Sequence, residues 1–142
     1  MVRNGSELVS LTKESITRQL KAKGLKLTPQ RIAIIEVFIE KEDLHPGARS
    51  VYEEARKRKK SLSLSTTYAT LNELSRLGII KTLQFDSMDN RYEGNLEEHL
   101  NLICAHCGKI LDYKIPPLVD QQEIVKKTSF SVKKTRLEYY GY

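Results

Sequence analysis

The sequence predicts an α+β fold: helices come first, a β-hairpin follows, and a small α/β unit completes the chain. Three observations predict it. Between positions 13 and 77 apolar residues recur with helical spacing, in runs bounded by capping residues, glycine or a Pro-Gly break. Residues 79–94 change to two short strand-like runs around a polar turn, Asp86-Ser87-Met88-Asp89-Asn90. Beyond residue 95 apolar and polar residues alternate, with one helical interruption.

The elements follow in order. Residues 13–23 carry Ile16 and Leu20 among charged neighbours and stop at Gly24, the pattern of a short amphipathic helix. Thr28-Pro29 opens the next helix, with Thr as the cap and Pro at the first helical position. Ile32, Ile35, Phe38 and Ile39 then share one face. His45-Pro46-Gly47 breaks the chain, and Val51, Tyr52 and Ala55 give a third helix a narrow apolar stripe. The run Arg56-Lys57-Arg58-Lys59-Lys60 leads into a linker over 61–64. It reads as a solvated loop, because five adjacent charges cannot all face one surface. Ser63 or Ser65 caps a helix running to Leu77, with Leu71, Leu74 and Leu77 inward and Gly78 as its stop. Residues 79–85 and 91–94 form the hairpin. Three helices and a hairpin give the order of a winged helix-turn-helix, expected to occupy residues 1–95.

In residues 96–142, Leu100, Leu102 and Cys104 alternate with polar positions and 110–115 forms a second strand. Pro116-Pro117 precedes a helix over 118–127, and 130–134 and 137–140 read as two final strands. A unit of about 45 residues is below the size that usually folds alone. It should therefore complete its core against a partner, most simply a second copy, making this a dimerisation domain.

Composition narrows the function. No apolar run approaches the ~18–20 residues needed to cross a bilayer. The N-terminus has no apolar leader core, so the expected location is the cytoplasm, away from membranes. Two cysteines three apart are too few for a disulfide scaffold and favour a metal or redox reading. The net charge of +6 is uneven: residues 1–95 hold 17 Lys/Arg against 12 Asp/Glu, and residues 96–142 hold 7 against 6. A basic front half suits a polyanion, most commonly nucleic acid.

Two groups of residues carry chemistry. The capped helix that precedes the hairpin reads Ser65-Thr66-Thr67-Tyr68-Ala69-Thr70-Leu71-Asn72. Its hydroxyl, phenol and amide side chains suit phosphates and base edges, and thymine methyls can pack on Tyr or Ala. An ordinary Ser/Thr-rich surface helix would look the same in isolation. The second group is Cys104-Ala105-His106-Cys107-Gly108 between two strands. A CxxCG at a strand end has the shape of a zinc knuckle, whereas redox CxxC pairs usually sit at a helix N-terminus. One pair is half of a four-coordinate site. Around it lie His99, Glu93, Glu97, Glu98, Asn101 and Asp112, and with His45 they offer imidazole and carboxylate donors for Fe(II), Mn(II) or Zn(II).

Taken together, these residues resemble the ferric uptake regulator (Fur) family of metal-dependent repressors, above all its peroxide-responsive (PerR-like) branch. The landmarks are Leu27-Thr28-Pro29-Gln30-Arg31, His45-Pro46, Ser65-Thr66-Thr67-Tyr68, Gly78-Ile79-Ile80, Arg91-Tyr92-Glu93, Ile103-Cys104-Ala105-His106-Cys107-Gly108-Lys109 and Arg136-Leu137-Glu138-Tyr139-Tyr140-Gly141. The resemblance implies a winged-helix DNA-binding domain over 1–95, an α/β dimerisation and metal-binding domain over 96–142, and a regulatory metal whose ligands come from both. Those ligands map to His45, Glu93, His99, Asn101 and Asp112, with Asn101 standing where the family has a second histidine. Asp112 matches the peroxide-sensing branch and Glu93 the iron-sensing branch. The family's structural zinc uses a second CxxC after the Tyr-Gly motif, and these 142 residues hold none there. Cys104 and Cys107 are thus expected to hold zinc only with substitute ligands. Lys133, Lys134 and Thr135 occupy the place of a further family histidine, so that additional site is not expected.

The function read from the sequence is repression of transcription, not catalysis. A metal-loaded homodimer would bind an inverted-repeat operator in double-stranded DNA and sense iron, manganese or peroxide. Candidate DNA contacts are Lys26, Arg31, Ser65, Thr66, Thr67, Tyr68, Thr70 and Asn72. The rival readings are a DNA-binding protein indifferent to metal and a dithiol redox protein using Cys104 and Cys107.

Overall fold

The computed structural model describes residues 11–86, 88–114 and 119–142. They fall into two compact units divided between Leu96 and Glu97. Among the described residues no helix is long and apolar enough to cross a membrane.

The first unit is built from four helices, three of them capped by a side chain, and a hairpin. Helix α1 (Lys13–Ala22) is capped by Thr12, whose Oγ1 accepts the Ser15 N–H at 3.0 Å. Helix α2 (Pro29–Lys41) starts at Thr28, whose hydroxyl accepts the Arg31 N–H at 3.2 Å. A single 3₁₀ turn (Glu42–Leu44) and the His45-Pro46-Gly47 break lead to helix α3 (Ala48–Arg58). Helix α4 (Leu64–Arg76) is capped by Ser63, which accepts the Thr66 N–H at 3.1 Å. Each cap satisfies a backbone donor that the first helical turn would otherwise leave without a partner. Strands β1 (Lys81–Leu83) and β2 (Arg91–Glu93) then pair antiparallel, with Thr82 opposite Tyr92.

The core of this unit gathers Ile16 and Leu20 from α1, Ile34, Ile35, Val37 and Phe38 from α2, Val51 and Ala55 from α3, and Leu71 and Leu74 from α4. Four expectations need correction here. Helix α2 is buried more broadly than one stripe: Ala33, Ile34 and Val37 are inside, while Ile32 and Ile39 are half-buried. Leu77 is also half-buried, and Thr67 and Thr70 take the inward positions beside Leu71 and Leu74. Leu62, assigned above to a linker, is a core residue. The basic run is not all loop, because Arg56, Lys57 and Arg58 form the last turn of α3. There Lys57 meets Glu54, Arg58 meets Glu40, and the Arg56 guanidinium lies over the Tyr52 ring. Cations at a helix C-terminus complement its dipole, which is why the helix extends into the run.

The second unit is a three-stranded sheet with one helix. Strand β3 (Leu100–Cys104) is central, pairing antiparallel with β4 (Ile110–Tyr113) and parallel with β5 (Glu138–Gly141). Helix α5 (Gln121–Thr128) is capped by Asp120 and buries none of its residues. Residues 130–134 are not a strand; Phe130 is exposed, and among the described residues no strand pairs with this segment. The proline pair 116–117 and the expected helix start at 118 lie outside the described residues. The burial phase of β3 also differs from the expected alternation, with Asn101 and Ile103 buried and Leu102 half-buried.

Candidate metal centre and nucleic-acid interface

Helix α4 presents one exposed stripe. Ser65, Tyr68, Ala69, Asn72 and Arg76 point outward at successive helical turns. Ser65, Tyr68 and Asn72 are the expected contacts, and Thr66 lies half-buried at their edge. Ala69, read above as a methyl contact, lies on the stripe; Arg76 completes it and was missed, although its spacing of four from Asn72 would have found it. Arg76 is held by Glu73 through Nε–Oε2 at 3.0 Å and Nη2–Oε1 at 2.6 Å. That pair sits in water, lowering the Glu73 pKa and raising that of Arg76. Thr67 and Thr70 do not belong to this face. Thr67 is fully buried, and its hydroxyl donates to the Ser63 carbonyl at 3.0 Å. Threonine can bury in a helix when its hydroxyl closes back on the preceding turn, so hydroxyl character did not mark the outer face. Lys26 is exposed, and Arg31 donates to the Lys26 carbonyl at 2.5 Å. Both side a groove of about 660 Å³ that also takes in Thr66, Ala69 and Glu73 of α4.

The stripe is fastened to the hairpin. Tyr92 is buried and donates its hydroxyl to Asn72 Oδ1 at 2.8 Å. Burial foremost, and then the nearby Tyr68 phenol, push the Tyr92 pKa above its ordinary value. The same strand holds the His45 break in place. The Tyr92 N–H donates to the Pro46 carbonyl at 2.9 Å, and the Arg91 guanidinium donates to the His45 carbonyl at 3.2 Å. His45 itself adopts a left-handed backbone, φ 50°, a conformation that costs a non-glycine residue of order 1–3 kcal/mol and persists only when its surroundings enforce it. The result is that His45 Nε2 lies 3.2 Å from Glu93 Oε2, both side chains almost wholly buried. Lys81 Nζ stands 3.8 Å from the other Glu93 oxygen. Beside Glu93, a Cβ at Gly94 would lie 2.5 Å from Leu11 Cδ2 and 2.9 Å from the Glu42 carboxyl carbon, so the ends of those two side chains would have to shift.

The second unit gathers His99, Asn101 and Asp112. Asn101 and Asp112 are direct cross-strand partners, so their side chains share a sheet face. His99 Nδ1 lies 2.6 Å from the Glu97 carbonyl oxygen, which can only accept, so Nδ1 carries the proton. The other ring nitrogen, Nε2, meets two oxygens. Facing it are Asn101 Oδ1 at 3.1 Å and Asp112 Oδ1 at 3.3 Å. Three lone pairs aimed at one place repel unless a cation, a proton or a metal ion, lies among them. The donors in the two units are imidazole, carboxylate and amide oxygen without thiolate, a set that fits a hard-to-borderline divalent ion such as Fe(II), Mn(II) or Zn(II). The register adds one residue missed in the sequence: Glu138 lies opposite Asn101 on the same face.

Cys104 ends β3, and residues 105–107 form a turn, so the CxxC does not begin a helix. Gly108 takes a left-handed φ of 77°, and its N–H donates to the Cys104 carbonyl at 2.9 Å. The Cys107 N–H points at Cys104 Sγ at 3.5 Å. Backbone amides, that of Cys107 first and His106 next, lower the Cys104 pKa. Amides that stabilise a thiolate make Cys104 a better metal ligand and a better nucleophile alike.

The sequence profile described as the ferric uptake regulator family matches residues 22–140. The chain belongs to this family. Within it, the chain is 34% identical over 129 residues to the peroxide-responsive repressor PerR of Staphylococcus epidermidis, covering 90% of this chain and 85% of that protein. The Staphylococcus aureus PerR is 33% identical, over 90% and 86%. Among solved structures, the Helicobacter pylori ferric uptake regulator, which has three functional metal-binding sites, superposes with a TM-score of 0.74 at 29% identity, covering 95% of this chain and 94% of that one. A zinc-bound manganese uptake regulator gives 0.67 at 29% identity, over 89% and 96%. The α+β class read from the sequence is therefore that of the ferric uptake regulators.

Proposed function

We propose that this ferric uptake regulator is a homodimeric repressor that binds an inverted-repeat operator in double-stranded DNA when a divalent metal is bound. Residues 1–95 would carry the DNA-binding surface, and 96–142 the dimer contact. Ser65, Tyr68, Asn72 and the edge residue Thr66 would enter the groove, with Lys26 and Arg31 on phosphates. One metal would draw donors from both units: His45 and Glu93 from the first, His99, Asn101 and Asp112 from the second. The observation that carries the metal-bound part of this reading is the convergence of His99 Nε2, Asn101 Oδ1 and Asp112 Oδ1, an imidazole nitrogen and two oxygens suited to a divalent ion.

When bound, the ion supplies positive charge that both units share, which raises the population competent for DNA. Metal and operator are then linked: each strengthens binding of the other by the same factor. With Fe(II), peroxide would oxidise a ligating histidine and release the operator; the peroxide-responsive relatives support that sense. Cys104 and Cys107 would hold a structural zinc with substitute ligands.

The test is operator binding titrated with Mn(II) and Fe(II), with and without chelator and peroxide. Metal should raise affinity by ~1–3 kcal/mol, and His45→Ala should remove that gain while leaving metal-free binding nearly unchanged. Equal affinity with and without metal would favour the metal-indifferent reading.

A further inference from the structure

We propose that Asn101 sets the metal preference of this chain, turning the regulatory donors away from nitrogen-seeking ions such as Zn(II) and Co(II) and towards Mn(II). This deepens the metal-regulated reading above and rests on it.

Asn101 is held at its post. It is buried at the middle of the sheet, and its N–H donates to the Leu137 carbonyl at 2.9 Å. Its neighbours across the strands are Asp112 on one side and Glu138 on the other. Strand pairing on both sides fixes its backbone, and its Oδ1 lies 3.1 Å from His99 Nε2.

Glu138 does not replace it as a donor. Its Oε1 accepts the Tyr140 hydroxyl and its Oε2 the Arg136 Nε, both at 2.8 Å. The second unit therefore offers one imidazole nitrogen against two oxygens, one of them a neutral amide.

The consequence follows from ligand softness. Divalent first-row ions strengthen from Mn(II) towards the later metals, and imidazole suits the later ions while carbonyl and carboxylate oxygen suit Mn(II). An oxygen at position 101 thus withholds more affinity from Zn(II) and Co(II) than from Mn(II). Selectivity would reside in this one position.

The experiment measures binding directly on the whole chain. Mn(II) affinity is read by electron paramagnetic resonance and Co(II) affinity by visible absorption, where thiolate-bound cobalt at Cys104 and Cys107 has its own charge-transfer band and is subtracted. Asn101→His should raise the Co(II)/Mn(II) affinity ratio on the order of tenfold, the scale at which changes around a metal site act. Asn101→Ala, which removes the donor with little steric demand, should weaken Mn(II) by about the same factor. It decides the matter if the histidine variant misfolds by circular dichroism. An unchanged ratio in folded Asn101→His, or wild-type Mn(II) affinity in Asn101→Ala, overturns the selectivity role alone. A wild-type chain that binds neither ion at these donors overturns the metal-regulated reading as well.

Discussion

At the scale of single residues, two neighbours on α4 carry opposite expectations. Tyr68 is exposed on the outer stripe, so Tyr68→Ala should leave the fold intact and lower specific operator affinity by ~1–3 kcal/mol, measured at fixed salt. Unchanged affinity would mean that another surface enters the groove. Thr67, one position earlier, is buried and bonded to the Ser63 carbonyl. Thr67→Ala should therefore lower thermal stability by about 1 kcal/mol, with its operator contacts untouched. The sequence could not separate these two, because a run of Ser and Thr shows no contrast between faces and hydroxyl groups serve core and surface alike. The metal donors were named by resemblance rather than periodicity. Asn101 in particular reads as one of the polar positions in the alternation of β3, and only the strand register shows that it stands beside Asp112.

At the scale of elements, caps and stops were the most legible feature. Thr28, Ser63, Gly24 and Gly78 bound their helices because local chemistry decides those positions. Segments whose state depends on distant partners were not legible. Residues 130–134 have strand-like alternation yet pair with no strand among the described residues, and the basic run after α3 divides between helix and loop. Close approach is equally invisible in a sequence. The β2 exit passes so near the Leu11 and Glu42 side chains that a larger residue at position 94 must displace them. Gly94→Ala should destabilise the first unit by ~1–3 kcal/mol, seen as a lower denaturation midpoint. Because that strand also carries Glu93, metal affinity should fall with it. A variant as stable as wild type would show that Leu11 and Glu42 move aside freely.

At the scale of the whole molecule, the two units differ in how well they cover themselves. The first buries Tyr92, Phe38 and a continuous set of aliphatic residues. In the second, only Leu100, Ile103 and Ile110 among the described hydrophobic residues are buried. Leu102, Leu111 and Tyr139 form a row across one sheet face, bordering an apolar groove of about 300 Å³. A row of exposed apolar side chains on one sheet face suits association with a second copy. Sedimentation at micromolar concentration should give a dimer, and Leu111→Glu should shift it to monomer. A folded wild-type monomer under those conditions would remove the proposed partner. This much was foreseeable from the size of residues 96–142, since surface-to-volume scaling needs no coordinates.

The placement of the tyrosines gives that surface an optical signature. The chain has no tryptophan, so its near-ultraviolet emission comes from seven tyrosines alone. Four of them, Tyr113, Tyr139, Tyr140 and Tyr142, stand exposed on the second unit, while Tyr92 is sealed in the first. Association through the second unit would move several of these phenols out of water and bring them near their counterparts. Energy passing between identical phenols depolarises the light they emit. The unlabelled protein should therefore report its own assembly, with emission anisotropy rising on dilution as the copies part.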